Sequence, residues 1–266
     1  MYIEERNPFF KIRSEGVHTT SGLELNKLAV INDETDDVLG IVSPNYELVT
    51  NEMVNDLFLD SMVNIEVKEV TDHMDAITRK WKRRFIFDGN GLNFEIIKGD
   101  FVGIALEIFN GYDARTAFGY ELMGFRYVCS NVLVMGKQSL FKESYAHYVN
   151  NPEKLRVSYE MKFEMFKENV DIWKRWSEES FDEETFKEFV EGRSYLGEKA
   201  KVAMVDSYTR VLNSEGLDAT KYGAFNVLTF LATHETKARN GSNLFSNAFK
   251  NINRMAADLY EYCIAA

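Results

Sequence analysis

The sequence predicts an α+β fold, in which an antiparallel sheet from the N-terminal half packs against a mainly helical C-terminal half. Strand-like segments follow one another through residues 16–136, and their connections are too short for the crossovers that parallel strands need. From residue 152 to residue 264 the apolar residues recur instead at the spacing of a helix face. We therefore predict a single domain over residues 16–266, preceded by an extended arm of residues 1–15.

The N-terminal half begins with a predicted hairpin, whose strands cover residues 17–31 and 38–42 and whose acidic tip is Asp33–Asp37. A helix is predicted from Asn51, because the apolar residues that follow it are three and four positions apart. A strand is predicted over residues 77–87, and a Gly-rich turn after it leads into the centre of the sheet. We expect the helix to pack on the sheet that these strands form.

A long hairpin over residues 101–136 forms the centre of the predicted sheet. Two apolar runs of alternating character flank Asn110-Gly-Tyr-Asp113, and Asn, Gly and Asp readily adopt turn dihedrals. The second run contains three residues of chemical interest close together, Arg126, Cys129 and Asn131. This hairpin is therefore the element around which the other predictions are arranged.

Helical spacing dominates the C-terminal half. The clearest helix begins after Pro152, and its apolar seam is formed by Tyr159, Phe163, Phe166, Val170 and Trp173. The segment Ser180–Glu183 resembles a capping box, which predicts the start of a short helix. Further helices are predicted over residues 198–213 and 222–234, and a last one carries apolar residues from 245 to 259.

Composition and charge limit the classes of function. The chain has 266 residues, of which 45% are hydrophobic and 14% aromatic, and this is typical of a folded protein. Its formal net charge is -11, so a polyanion would need a local basic site. With two cysteines, no apolar leader and no apolar run long enough to span a bilayer, we expect a protein of the bacterial cytoplasm without a membrane partner.

One basic segment stands out on this acidic chain, and we call it the basic cluster: Arg79, Lys80, Trp81, Lys82, Arg83 and Arg84. Strand alternation places its even-numbered residues on one face and its odd-numbered residues on the other. Such cations can follow a phosphate backbone while the indole ring of Trp81 stacks on a base, as in sites for single-stranded nucleic acid. The alternative is a charged edge strand, since natural sheets place cations at their edges to discourage aggregation.

Two blocks carry a resemblance to a known family. The turn Asn110–Asp113, followed by Arg126-x-x-Cys-x-Asn131, resembles the signature of a phage- and plasmid-borne family catalogued only as a domain of unknown function. The segment Tyr222–Thr229 resembles the second, weaker motif of that family, and His147 matches a histidine that commonly follows its core motif. The resemblance implies a mobile-element origin and a cleft at one end of the hairpin, lined by Asn110, Asp113, Arg126 and Asn131. Turn chemistry alone offers another explanation for the first two.

Catalytic and metal-binding motifs are weak. Cys129 and His147 have the chemistry of a nucleophile and a base, but apolar neighbours favour a buried and unreactive cysteine. The four histidines lack the paired spacing of zinc ligands. The chain also lacks a phosphate-binding loop and a nucleophile elbow. We therefore predict no catalytic residue, no metal and no cofactor.

Three hypotheses for the function follow. The leading one is a non-enzymatic, phage- or plasmid-encoded protein that binds single-stranded DNA as a strand-annealing or recombination accessory and assembles into homo-oligomers. The second is a virion structural protein or a host-interaction, anti-defence protein, because an acidic surface suits protein partners. The third and weakest is a metal-dependent nuclease. A positive groove in the structure would favour DNA, and a negative surface would favour a protein partner.

Overall fold

Two antiparallel sheets and six α-helices form the part of the chain that this computed structural model describes, which is residues 7–60, 66–75, 80–87, 89, 91–127, 131–133, 142–147, 159–236 and 247–265. The strands lie in the N-terminal half, and all of these helices but one lie in the C-terminal half. The predicted α+β class is therefore confirmed. Among the described residues, no helix combines the length and the apolar composition needed to cross a bilayer.

The first sheet has three strands in the order β1-β2-β3. They are β1 Ile12–His18, β2 Glu24–Asn32 and β3 Val38–Val42. The inward-facing side chains of β2 and β3 pack on Phe10 and Tyr112 in a small core of their own. In the described part of the chain, the first strand begins at Ile12, within the segment of residues 1–15 that was predicted as an extended arm.

The second sheet has seven described strands, and its main path is β10-β8-β7-β5-β4, with β6 paired to β7 and β9 paired to β8. The strands are β4 Val67–Met74, β5 Trp81–Phe87, β6 Asn93–Ile97, β7 Asp100–Asn110, β8 Phe118–Arg126, β9 Asn131–Leu133 and β10 Lys142–Tyr145. The predicted central hairpin is confirmed as β7 and β8, which pair in register without interruption.

β3 meets the second sheet at the turn between β7 and β8. A Cβ atom at Gly40 would lie 2.1 Å from the carbonyl oxygen of Tyr112, so only glycine fits this approach. Asn110 reinforces the junction, since its side-chain amide donates to the Val49 carbonyl oxygen at 2.9 Å. The contact is packing rather than strand pairing, and the single sheet expected from the sequence is therefore divided into two.

β5 lies inside the second sheet, between β4 and β7. Trp81, for example, pairs with Met74 on one side and with Asn110 on the other. The alternative interpretation of the basic cluster, a charged edge strand, is therefore wrong. The order of strands in a sheet depends on pairings between distant parts of the chain, which a local pattern of charges does not contain.

The helices are α1 Asn51–Leu59, α2 Tyr159–Trp176, α3 Glu183–Glu191, α4 Glu198–Glu215, α5 Lys221–Phe230 and α6 Asn247–Ala265. The capping box predicted for α3 is not used. Asp182 caps this helix by accepting from the backbone N–H of Thr185 at 2.9 Å, while Ser180 forms a bridge with Thr220. An aspartate at this position is among the most favourable caps.

The main core lies between one face of the second sheet and the helices. Trp173 and Trp176 of α2 both pack on Phe225 of α5, with ring centroids 6.3 and 6.0 Å from it. Phe166 and Val170 complete the buried seam of α2 on the same side, as the helical spacing predicted. Each fully buried side chain of this size contributes about 1.5–3 kcal/mol, so this layer fixes the helices to the sheet.

Candidate functional site

The aromatic member of the basic cluster is enclosed by the protein. Trp81 has no solvent-exposed surface, and its Nε1 donates to Asp72 Oδ1 at 2.7 Å. Phe9 packs edge-to-face on it, with ring centroids 5.8 Å apart. The sequence suggested that a base stacks on Trp81, but neither face of its indole ring is exposed in this structure. Arg79 lies outside the described residues.

Two cations of the cluster share one buried carboxylate. Lys82 and Arg84 both form ion pairs with Glu107 of β7, and the Arg84 contact measures 2.8 Å. Burial raises the pKa of the Glu107 carboxyl, but the charges of Lys82 and Arg84 outweigh it and lower the pKa to about 2. The alternation predicted for the strand is present, since these two residues lie on the face opposite Trp81.

The other two described cations are also paired. Arg83 binds both oxygens of Asp72 at 2.9 and 2.7 Å and donates to Asn55 Oδ1 at 2.8 Å. Lys80 forms an ion pair with Asp113 at 3.0 Å. Every described cation of the basic cluster therefore has a carboxylate partner within the protein. The cluster joins strands rather than forming a positive groove.

Structural hydrogen bonds account for two of the family-motif residues. Asn110 is fully buried, and its amide donates to the Val49 carbonyl oxygen and to Asn51 Oδ1 at 2.9 and 3.0 Å. Asp113 accepts from the backbone N–H of Thr116 at 2.8 Å. Burial raises the pKa of Asp113, but the hydrogen bonds from Thr116 and Lys80 bring it below its usual range. Asp113 therefore shapes the turn, and Asn110 holds the end of β7 to the segment that begins α1.

His147 is held in an aromatic environment beside this turn. Its ring stacks on Tyr46 at 4.6 Å between centroids, and its Nδ1 lies 3.2 Å from the Glu47 carbonyl oxygen. Burial lowers the pKa of His147, so the imidazole is neutral at pH 7. Cys129, the nucleophile for which His147 could have been the base, lies outside the described residues.

Arg126 is the centre of a second, almost completely buried network. Its Nε lies 2.8 Å from both carboxylate oxygens of Asp100, and its Nη1 lies 2.8 Å from Glu215 Oε2 on α4. Tyr222 on α5 donates its hydroxyl hydrogen to Asp100 at 3.2 Å. Burial raises the pKa of Asp100 against the lowering effect of the Arg126 charge. The network brings together the two blocks that resemble the family, and it joins the sheet to the helices.

The predicted cleft of four motif residues is not formed. In the β7–β8 register, Arg126 pairs with Val102 and lies at the end of the hairpin opposite the turn that holds Asn110 and Asp113. Eight strand residues separate the two ends, which places them roughly 25 Å apart. Asn131 pairs with Arg126 through β9, and only its backbone is described. Among the described residues, no group of His, Cys, Asp or Glu side chains is arranged to hold a metal ion.

The carboxylates that complete these networks, Glu107 and Asp100, were not among the site residues predicted from the sequence. Glu107 is a single acid inside the apolar strand β7, and Asp100 begins the same strand. A lone carboxylate among residues that face a core needs a cation, because an unpaired charge is too costly to bury. From this pattern, the sequence could have predicted that β7 lies beside the strand that carries the basic cluster.

One face of the first sheet points away from its small core, and we call it the outer face: Ala29 and Ile31 of β2 with Val38 and Ile41 of β3. Val38 is 60% exposed and Ile41 48%, whereas Ala29 and Ile31 are buried. These residues alternate with the ones that pack on the small core. The acidic tip, Asp33–Asp37, borders the outer face, and it has two carboxylates, Glu34 and Asp37, beyond the pair that binds Arg13.

The fold and these contacts define an α+β protein whose motif residues form turns and buried ion pairs between its elements. The chain belongs to the family described as a domain of unknown function, DUF932, which it matches over residues 38–256. Comparisons with curated proteins and with solved structures return no match. The matched span begins with β3 and contains both motif blocks, whereas β1 and β2 precede it.

Proposed function

We propose that the protein is a non-enzymatic, phage- or plasmid-encoded protein that binds a protein partner, in a virion or a host-interaction role. The observation that carries this proposal is the outer face, where two large apolar side chains of β3, Val38 and Ile41, are each more than two-fifths exposed. Contiguous exposed apolar surface with a polar border is typical of an interaction site. The partner would cover this surface.

The charge around the outer face specifies the chemistry of the partner. Arg13 is surrounded by Glu15, Asp33 and Asp36 at 2.8, 3.0 and 2.8 Å, so carboxylates outnumber cations at this end of the molecule. The chain as a whole carries a net charge of -11. A partner with an apolar centre and a basic rim complements both features, and its charge would steer the encounter.

Binding of single-stranded DNA would depend on the basic cluster. A site for a single strand needs accessible cations along its path and an aromatic face for stacking. Trp81 is enclosed, and the four described cations are each bound to a carboxylate. An experiment must therefore distinguish protein binding from strand annealing.

The test is affinity capture from cells that carry the mobile element, with nuclease present to remove capture through nucleic acid. The bait would be the wild type, the outer-face variant Val38→Asp/Ile41→Asp, or the control Val202→Asp, whose position on α4 is 58% exposed. We expect a basic protein that the wild type and the control both recover and the outer-face variant loses. The same protein, once purified, should bind the wild type directly.

Two outcomes would overturn the proposal. One is that the outer-face variant recovers the same proteins as the wild type, which would show that the partner does not use this surface. The other is that nuclease abolishes all specific capture, which would show that nucleic acid is the true ligand. Circular dichroism and thermal unfolding of each variant verify that the baits are folded.

A further inference from the structure

β1 is an open edge in the described part of the chain, where it pairs only with β2. The carbonyl oxygen of Lys11 accepts from the backbone N–H of Asp33 at 2.9 Å, which fixes the hydrogen-bonding phase of this ladder. Because the phase alternates along an antiparallel strand, Arg13 and Glu15 direct their backbone groups at β2. Ile12, Ser14 and Gly16 therefore direct theirs toward the open edge.

The sequence of this edge is complementary to itself in one antiparallel register. With a two-fold axis at Ser14, Ser14 faces its own equivalent, Ile12 faces Gly16, and Arg13 faces Glu15 of the second copy. This register uses the backbone groups that point outward. It gives about six hydrogen bonds between the copies once the His18 ring, whose Nδ1 lies 3.2 Å from the Gly16 carbonyl oxygen, turns aside. A closed two-fold contact requires this kind of reciprocal match.

We propose that two copies of the chain join β1 to β1 and form one continuous six-stranded sheet. Opposite charges at directly facing positions of an antiparallel pair are favourable, and here the pair Arg13–Glu15 occurs twice. Gly16 leaves room for Ile12 of the second copy, since a Cβ atom built at Gly16 would contact only His18 at 3.4 Å. The other edge of this sheet is closed, because β3 packs on Tyr112.

The dimer is an inference beyond the proposed function, and its geometry is compatible with that function. The two-fold axis of an antiparallel pair is perpendicular to the sheet, so both outer faces would lie on the same side of the dimer. A single strand edge buries less area than a standard stable interface, for which about 1,200 Å² or more is typical. We therefore expect a dimer in concentration-dependent exchange with the monomer.

Sedimentation velocity over about 1 to 100 µM tests the dimer, and the variant Ser14→Pro tests its register. Proline at this position removes an N–H that points to the open edge and leaves the ladder with β2 intact. We expect Ser14→Pro to raise the dimer dissociation constant about tenfold or more, and the matched control Ser14→Ala to leave it unchanged. A wild type that stays monomeric at the highest concentration would overturn the inference.

A charge-swap mixture makes the test independent of the proline variant. Arg13→Glu alone would place two acids opposite each other, and Glu15→Arg alone would place two arginines opposite each other. Mixed in equal amounts, the two variants form opposite-charge pairs at both positions, so native mass spectrometry should show the heterodimer well above the twofold excess over each homodimer that random pairing gives. The random 1:2:1 ratio would refute the register. Capture through Val38 and Ile41 can succeed or fail separately when it is measured with Ser14→Pro, because Ser14 pairs with Val30 of the small core, whereas Arg13 and Glu15 pair with residues of the outer face.

Discussion

At the scale of single residues, this protein has both exposed and buried ion pairs. Arg13 binds three carboxylates but is about one-third exposed, and exposed pairs of this type contribute little because solvent screens them. Arg126 also binds carboxylates from two elements, yet its side chain is 1% exposed. Removing one member of such a buried set leaves uncompensated charge, which costs about 3–5 kcal/mol. The motif arginine is therefore a structural residue.

Glu107 gives the fold a specific dependence on pH. The pKa of its carboxyl is about 2 in the folded protein, below the ordinary value of 4.5. Its contribution to stability is therefore complete above pH 4.5 and is lost as the pH falls toward 2, and a shift of this size corresponds to about 3 kcal/mol. We expect Glu107→Gln to lower the free energy of unfolding by about that amount at pH 7.

Urea unfolding at a series of pH values measures this difference. The free energies of wild type and Glu107→Gln should converge as the pH approaches 2, because protonated glutamate and glutamine then leave the same two cations unpaired. Glu188→Gln, at an exposed position of α3, is the control for the substitution itself. A constant difference between wild type and Glu107→Gln at all pH values would show that Lys82 and Arg84 do not hold this carboxylate ionised.

Asp113 was the part of the candidate site that local sequence could identify. Its carboxylate accepts from the backbone N–H of Thr116, and such turn chemistry is visible in the sequence. The Asn110 amide instead donates to Asn51, far away in the chain. The enclosure of Trp81 was not visible, because Phe9 and Asp72 reach it from other parts of the chain. Whether a cation-rich strand is free or neutralised depends on such distant partners.

At the scale of elements, the junction between the two sheets rests on close backbone packing. Gly40 of β3 approaches the turn so closely that an added Cβ atom would meet backbone atoms of both Tyr112 and Asp113. Backbone cannot move aside as a flexible side chain can, so β3 would have to separate from the turn. We expect Gly40→Ala to destabilise the protein by about 2 kcal/mol or more.

Gly197→Ala provides the matched control for this prediction. Gly197 precedes α4 with φ of -76°, and an added Cβ atom there would meet nothing within 4 Å. The same chemical change should therefore alter the free energy of unfolding by no more than about 0.5 kcal/mol. Chemical denaturation of both variants gives the comparison, and equal effects at the two positions would contradict the packing explanation.

Element types were easier to predict than element arrangement. The alternation of β7 and β8 and the helical seam of α2 are local patterns, and both elements occur where those patterns predicted them. The division into two sheets and the internal position of β5 arise from contacts between residues far apart in the chain. The expected cleft failed for a related reason, since an antiparallel hairpin separates the residues at its two ends.

At the scale of the whole molecule, the two family blocks serve to join the halves of the fold. Arg126 and Asp100 belong to the sheet, whereas Glu215 and Tyr222 belong to the helical half. Arg126 donates to Glu215, and Tyr222 donates to Asp100. The matched family span covers this network but begins only at β3. The family motif therefore describes the scaffold, and the exposed surfaces of the first sheet are where we place the interactions of this chain.

The whole-molecule charge leads to the last prediction, which concerns single-stranded DNA. We expect a labelled oligonucleotide to bind the purified protein more weakly than about 10⁻⁴ M at physiological salt. The net charge of -11 repels the phosphate backbone, and each described cation of the basic cluster is already bound to a carboxylate. Exposing Trp81 would require breaking its hydrogen bond to Asp72 and its packing on Phe9.

Two variants separate a structural role of the cluster from a binding role in fluorescence anisotropy titrations at several salt concentrations. Lys80→Gln changes the most exposed described cation of the cluster, and Trp81→Phe keeps the site apolar while removing the indole. We expect both to change the free energy of unfolding and neither to change the titration curve. If the wild type binds with a steep salt dependence that Lys80→Gln flattens, or if Trp81→Phe weakens binding by about 1–3 kcal/mol, the strand carries a DNA site and strand annealing replaces protein binding as the function.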